Sequence, residues 1–218
     1  MKLGMSCYCL DPAMASGQMS VDDVVDYAVA HGCEHIEFVP FRLAFVTPER
    51  ELDWGLIDHV REKCKSAGIE ISTYSVNADL LKTDPEEEAK EIQRVKRHID
   101  AAKGLGLSRM RFDVASFRRP FSTNTIYNFN REFPQMVKNG TLLCDYAAEQ
   151  GITIVMENHG FFINGSERIL RLIEAIDRPN LKMTVDVGNF LCVDEDPVAA
   201  VKRCLPMAEM IHLQKLAE

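Results

Sequence analysis

No apolar stretch in this 218-residue chain approaches the roughly 20 residues needed to cross a bilayer. A membrane-spanning helix is therefore not expected. Positive charge is also short: 25 Lys and Arg stand against 33 Asp and Glu, a formal net charge of −8. Neutralising phosphates needs clustered cations, so a nucleic-acid partner is disfavoured. The start, Met1 to Cys9, is too short and mixed for a secretory signal. There are seven cysteines but no C-x-x-C pair. Dispersed thiols of this kind suggest a reducing cytoplasm and buried apolar filler, not a disulfide framework. Cys7 and Cys9 are expected on the first strand, facing the same side. No low-complexity linker interrupts the chain, which predicts one domain over residues 1–218.

What is present is an end-to-end alternation of strand and helix patterns. Leu3 to Cys9 reads as the first strand, His35 to Val39 as the second and Ile69 to Val76 as the third. Ser20 with Asp23 reads as a capped helix start. Asp53 to Ala67 has apolar residues at helical spacing and a terminal Gly68. The clearest helix opens with Asp84-Pro85 and three glutamates, which suit its positive end. Ala89, Ile92, Val95, Ile99 and Ala102 form its apolar stripe. Met110 to Val114 is a fourth strand, with its helix in the region of residues 131–150. Further helices are expected from Ser166 and from Asp196-Pro197. Such alternation implies a parallel sheet covered by helices.

Two folds compete. An open dinucleotide-binding sheet needs a Gly-rich loop after its first strand. Cys9 to Ala13 holds no glycine, and Gly17 stands alone. The other is a closed (β/α)₈ barrel of about 250 residues. The expectation is an α/β, TIM-type (β/α) barrel truncated after the seventh strand, lacking its eighth strand and helix. Strand edges left unpaired are an aggregation hazard. The protein is therefore expected to continue past Glu218, or to have the gap covered by another element.

Three apolar runs end in a side chain that can bind a cation: Ile152 to Glu157, Lys182 to Asp186 and Met210 to His212. Glu157, Asp186 and His212 are 29 and 26 residues apart, about one strand-plus-helix unit each. Side chains at the C-terminal ends of neighbouring parallel strands converge on one mouth. A Glu, an Asp and a His there form an O/O/N donor set for a hard or borderline divalent metal.

The motifs Glu157-Asn158-His159, Asp186-Val187-Gly188-Asn189 and Ile211-His212-Leu213 resemble those of the xylose isomerase-like sugar phosphate isomerase/epimerase superfamily. The likeness runs in strand order over almost the whole chain. It implies a TIM barrel with one divalent ion, Mn²⁺ first, with Mg²⁺, Co²⁺ or Zn²⁺ as alternatives. Glu157, Asp186 and His212 would be its ligands, and Glu157 also the catalytic acid/base. Similar enzymes take a fourth ligand, a Glu, from the eighth strand. They often show Lys and Asp soon after the seventh-strand His, where this chain has Leu213-Gln214-Lys215.

The implied function is isomerisation or epimerisation of a small sugar, sugar phosphate or keto-polyol through a metal-stabilised enediolate. An inosose-type dehydratase starts with the same proton abstraction. An inactive incomplete barrel that binds a metal or a partner is the non-enzymatic alternative. An endonuclease IV-type repair enzyme would need further His ligands, and Asn189 stands where one would fall. His159 and Asn189 could donate to sugar hydroxyls or hold a loop. Glu37 could orient a substrate hydroxyl or form an ion pair. Arg118-Arg119 could receive a phosphate or lie in a solvated loop. Trp54, Phe161 and Phe162 could wall a sugar or serve packing. The expected partner is a small carbohydrate, with no nucleic acid, no membrane, and a possible homo-oligomer.

Overall fold

A computed structural model describes residues 2–214. Seven strands follow chain order across a parallel sheet: β1 (Gly4–Ser6), β2 (His35–Phe38), β3 (Glu70–Val76), β4 (Arg109–Phe112), β5 (Thr153–Glu157), β6 (Leu181–Asp186) and β7 (Ala208–His212). Eight α-helices lie between them in the described residues: α1 (Asp11–Ala15), α2 (Val21–Ala30), α3 (Trp54–Ala67), α4 (Pro85–Gly104), α5 (Ile126–Glu149), α6 (Gly160–Ile163), α7 (Ser166–Ile176) and α8 (Pro197–Cys204). This is the α/β class, with parallel strands and intervening helices, expected from the alternation. Among the described residues β7 is the last strand, and it pairs with β6. No helix there is long and apolar enough to cross a membrane.

The described residues divide into two compact units. The first draws on 2–76, 96–110 and 150–152; the second on 77–95, 111–149 and 153–214. Strand β4 gives Arg109 and Met110 to the first unit and Arg111 and Phe112 to the second.

In the first unit β1, β2 and β3 pair in parallel, Met5 opposite Ile36 and His35 opposite Glu70. Helix α2 starts with a full capping box: Ser20 Oγ accepts from Asp23 N, and the Asp23 carboxylate accepts from Ser20 N. Helix α3 is capped by Asp53, whose Oδ1 accepts from Leu56 N, and ends at Gly68 with φ +70°. Val24, Val25, Ala28, Ile57, Val60, Ile36 and Phe38 are fully buried. Phe45 stands edge-on to both Phe38 and Tyr74. The first strand is shorter than expected. After Ser6 the chain turns into a 3₁₀ helix, Cys7–Leu10, and then into α1 with Pro12 in its first turn. Cys7 and Cys9 therefore do not share a strand face: Cys7 is buried and Cys9 exposed. The 3₁₀ turn starts because Ser6 Oγ accepts from Tyr8 N, a local bond that competes with the ladder.

In the second unit β5, β6 and β7 pair in parallel, Glu157 opposite Thr184 and Asp186 opposite His212. Burial on both faces explains the continuous apolar runs of β5 and β6, whereas β7 alternates half-buried and exposed residues. Helix α5 begins five residues before the expected 131, at Ile126. Thr125 Oγ1 accepts from Asn128 N at its start, and Pro134 is carried inside the helix. Phe129, Met136, Leu143 and Ala147 of α5 are buried, as are Ile169, Leu172 and Ile176 of α7. Gly140 marks a close approach: a Cβ there would stand 2.6 Å from Ile176 Cδ1. Helix α8 is capped by Asp196 and has Pro197 at its first position.

Candidate metal centre

Glu157, Asp186 and His212 are the last residues of β5, β6 and β7. One ligand atom from each lies within 4.8 Å of the others. Register makes Asp186 and His212 direct neighbours across the β6–β7 ladder. Both carboxylates are buried, and His212 is half-buried.

The two acids meet different surroundings. Glu157 Oε2 lies 2.5 Å from Arg111 Nη1 and 3.8 Å from His212 Nδ1. The Arg111 contact is an ion pair without aligned N–H geometry, since Oε2 has no hydrogen-bond donor directed at it. Burial pushes the Glu157 carboxyl up, but Arg111, His212 and His159 together outweigh it and bring it down to about 2. Asp186 moves the other way: burial raises it first and the Glu157 charge adds to that, while bonds from Asn189 and Gln214 offset part.

Asn158 holds the strand ends together. Its Oδ1 accepts from Asp186 N, and its Nδ2 donates to Asp186 O, both at 2.9 Å. Asn189 donates through Nδ2 to Asn158 O (3.0 Å) and Glu157 Oε1 (3.3 Å), and through its backbone N to Asp186 Oδ1 (3.1 Å). Gln214 Nε2 reaches Asp186 Oδ1 at 3.0 Å, Asp186 Oδ2 at 2.9 Å and Asn189 Oδ1 at 3.1 Å.

Arg111 also donates through Nη2 to Asp113 Oδ1 at 2.9 Å. His159 Nδ1 lies 2.8 Å from Arg111 Nη2 and 3.1 Å from Asp113 Oδ2. These contacts need opposite protonation: Nδ1 accepts from Arg111 or donates to Asp113. The His159 ring also stacks on Phe117, centroids 5.0 Å apart.

The structure thus brings together Glu157, Asp186, His212, His159 and Asn189. Glu37 belongs to the first unit, where it is buried and accepts from Ser6 Oγ at 2.9 Å. Arg119 is not a free phosphate receptor: it pairs with Glu132 at 2.6 Å and covers the Phe162 ring. Arg118 lies against Phe117. Phe162 is buried core, Phe161 meets Phe121 edge-on, and Trp54 lies exposed in the first unit. Lys215 falls outside the described residues.

Sequence reasoning passed over Arg111, Asp113, Asn158 and Gln214. A period-2 signal existed for three of them. Arg111 and Asp113 alternate with buried Phe112, and Gln214 follows His212 by two.

The trio suits a divalent ion. Its donors are two carboxylates and an imidazole, and the buried Glu157 Oε2 is without an aligned donor. Gly188 adds a cradle, since a Cβ there would meet Gln214 Cγ at 3.0 Å.

The family description "Xylose isomerase-like TIM barrel" matches residues 25–216, and the chain belongs to that family. No curated protein matches it in sequence. Among solved structures it is similar to the probable 3-DHS dehydratase AsbF, involved in petrobactin synthesis in Bacillus anthracis. That likeness has 19% identity and TM-score 0.77, and covers 100% of this chain and 74% of that one. It is similar to D-psicose 3-epimerase in the presence of D-fructose, at 14% identity and TM-score 0.77, over 97% of this chain and 72% of that one. It is also similar to the 3-keto-D-glucoside 4-epimerase YcjR from E. coli, at 14% identity and TM-score 0.73, over 97% and 78%. At these identities the likeness establishes the fold.

Proposed function

We propose that this chain binds one divalent cation, Mn²⁺ first, through Glu157, Asp186 and His212. On that basis it isomerises or epimerises a small sugar, sugar phosphate or keto-polyol. The observation that carries the reading is the convergence of those three donors within 4.8 Å at three successive strand ends. Family membership and the sugar epimerases among its structural relatives support it. A cation held there by Glu157, Asp186 and His212 would supply positive charge to a substrate carbonyl and its adjacent hydroxyl.

The chain's own residues do the rest. Glu157 moves the proton at the substrate carbon. Arg111 works against that role, because a carboxyl near 2 is a weak base. Proton removal therefore depends on Arg111 sharing its charge with Asp113 or with substrate. Asn158 and Asn189 fix the carboxylates in place. His159 and Asn189 are the proposed contacts to substrate hydroxyls. The seven free thiols suit a reducing cytoplasm.

The test has two parts. Metal content of the purified chain is measured, with Mn²⁺ titration by calorimetry. A pooled ketose and sugar-phosphate screen in D₂O then reads exchange at carbon. Expected are one bound ion per chain and exchange that Glu157→Gln abolishes. Absence of metal binding overturns the reading. A product lighter by one water reassigns the chemistry to a dehydratase.

A further inference from the structure

Resting on the metal-site reading, we propose that Gln214 is a fourth cation donor, through its side-chain oxygen Oε1. The geometry begins with period 2. His212 and Gln214 are two residues apart, which places both side chains on one side of the chain as it leaves β7. The Gln214 head is already at the site. Its Nε2 is ringed by three oxygens, Asp186 Oδ1 at 3.0 Å, Asp186 Oδ2 at 2.9 Å and Asn189 Oδ1 at 3.1 Å. An amide nitrogen equidistant from both oxygens of one carboxylate sits in that carboxylate's chelating position. A cation shared by Asp186 and His212 competes for that place.

The amide can answer by rotation. A terminal carboxamide carries two donors at one end and a carbonyl acceptor at the other, and half a turn about its last bond exchanges them. With no cation, Oε1 turned toward Asp186 would set oxygen against oxygen, so Nε2 faces in. With a cation between them the preference reverses, and Oε1 becomes a neutral oxygen donor of the kind hard divalent ions accept. Gly188 makes room for this. A Cβ at that position would press on Gln214 Cγ at 3.0 Å, so the glycine lets the Gln214 stem lie close over the loop after β6. Gln214 thus draws its head back from the place Nε2 holds and exchanges hydrogen-bond donation to Asp186 for coordination of the ion.

Gln214 lies in an exposed position, so substituting it leaves the core intact. The experiment titrates the full chain and its Gln214→Leu and Gln214→Glu variants with Mn²⁺ by calorimetry. It also records the visible absorption of each after loading with Co²⁺, whose band intensity follows coordination number. Expected are at least fivefold weaker Mn²⁺ binding and an altered Co²⁺ spectrum in Gln214→Leu. Gln214→Glu is expected to bind at least as tightly as the unaltered chain. Unchanged or tighter Mn²⁺ binding in Gln214→Leu overturns the proposal. So does weaker binding with an unchanged Co²⁺ spectrum, which reduces Gln214 to a support for Asp186. If the unaltered chain binds no Mn²⁺, the metal-site reading itself falls. If Glu157→Gln loses binding while Gln214→Leu keeps it, only this inference falls.

Discussion

The Asn158 side chain closes a two-bond clasp on the backbone of Asp186, accepting from its N–H and donating to its carbonyl, each at 2.9 Å. The clasp acts like one extra ladder rung between the ends of β5 and β6. Both backbone groups are buried, so an apolar side chain at 158 leaves them without partners. Unsatisfied buried groups cost about 1–3 kcal/mol each. Asn158→Leu is expected to lower stability by about 2–6 kcal/mol in urea unfolding. A loss under about 1 kcal/mol would show that the clasp contributes little.

Arg111 separates two buried carboxylates, Glu157 at 2.5 Å and Asp113 at 2.9 Å. Removing one partner of a buried ion cluster typically costs about 3–5 kcal/mol, because the remaining charges lose compensation. Arg111→Met is expected to be destabilised on that scale. Added Mn²⁺ should restore part of the loss by supplying positive charge beside Glu157. The check is thermal unfolding with and without Mn²⁺. A smaller metal-induced shift in the variant than in the unaltered chain contradicts this.

The acid side of the stability profile follows from Glu157. Its carboxyl is depressed in the folded chain from an ordinary 4.5 to about 2. A depressed carboxylate stabilises the fold above its unfolded value, and the contribution fades as pH falls through the folded one. Metal-free protein should therefore lose this contribution between about pH 4.5 and pH 2. Asp186, raised by burial and by Glu157, contributes with the opposite sign, favouring the fold below its unfolded value and losing that as pH rises. Glu157→Gln should flatten the Glu157 part of the slope in chemical denaturation at stepped pH. An unaltered acid slope in that variant would remove Glu157 from the account.

The contact between α5 and α7 offers a cleaner packing test. Gly140→Ala gains about 1 kcal/mol of helix propensity. It also drives a methyl to 2.6 Å from Ile176 Cδ1, and overpacking a core costs about 1–3 kcal/mol. The single variant is expected to be net destabilised. Ile176→Val alone should cost about 0.5–1.5 kcal/mol. The pair together should be more stable than Gly140→Ala alone, since Val lacks the colliding atom. Strict additivity in the double-mutant cycle would contradict that.

Local chemistry was readable wherever cause and effect lie close in sequence. The Ser20–Asp23 box, the Asp53 cap with Gly68, and Asp84-Pro85 before α4 all act within a few residues. The trio was readable too, because each donor ends its own apolar run. Boundaries failed at two helix starts. Thr125 opens α5 ahead of the expected residue 131, and Asp11-Pro12 starts α1 just after the stretch read as the first strand. Arg111 was hidden for a different reason. Its partners at 157 and 159 are 46 and 48 residues distant, and no local rule pairs a strand arginine with them. Asn158 and Gln214 likewise owe their roles to Asp186, 28 residues away in either direction.

Gly160 has φ +72°, and a side chain there would place its first carbon 2.7 Å from the backbone of Phe117. The loops following β4 and β5 are consequently interlocked at a point with no slack. Anyone diversifying either loop should randomise the two jointly, keeping 160 as glycine. A side chain at 160 with the Phe117 backbone held fixed has no room.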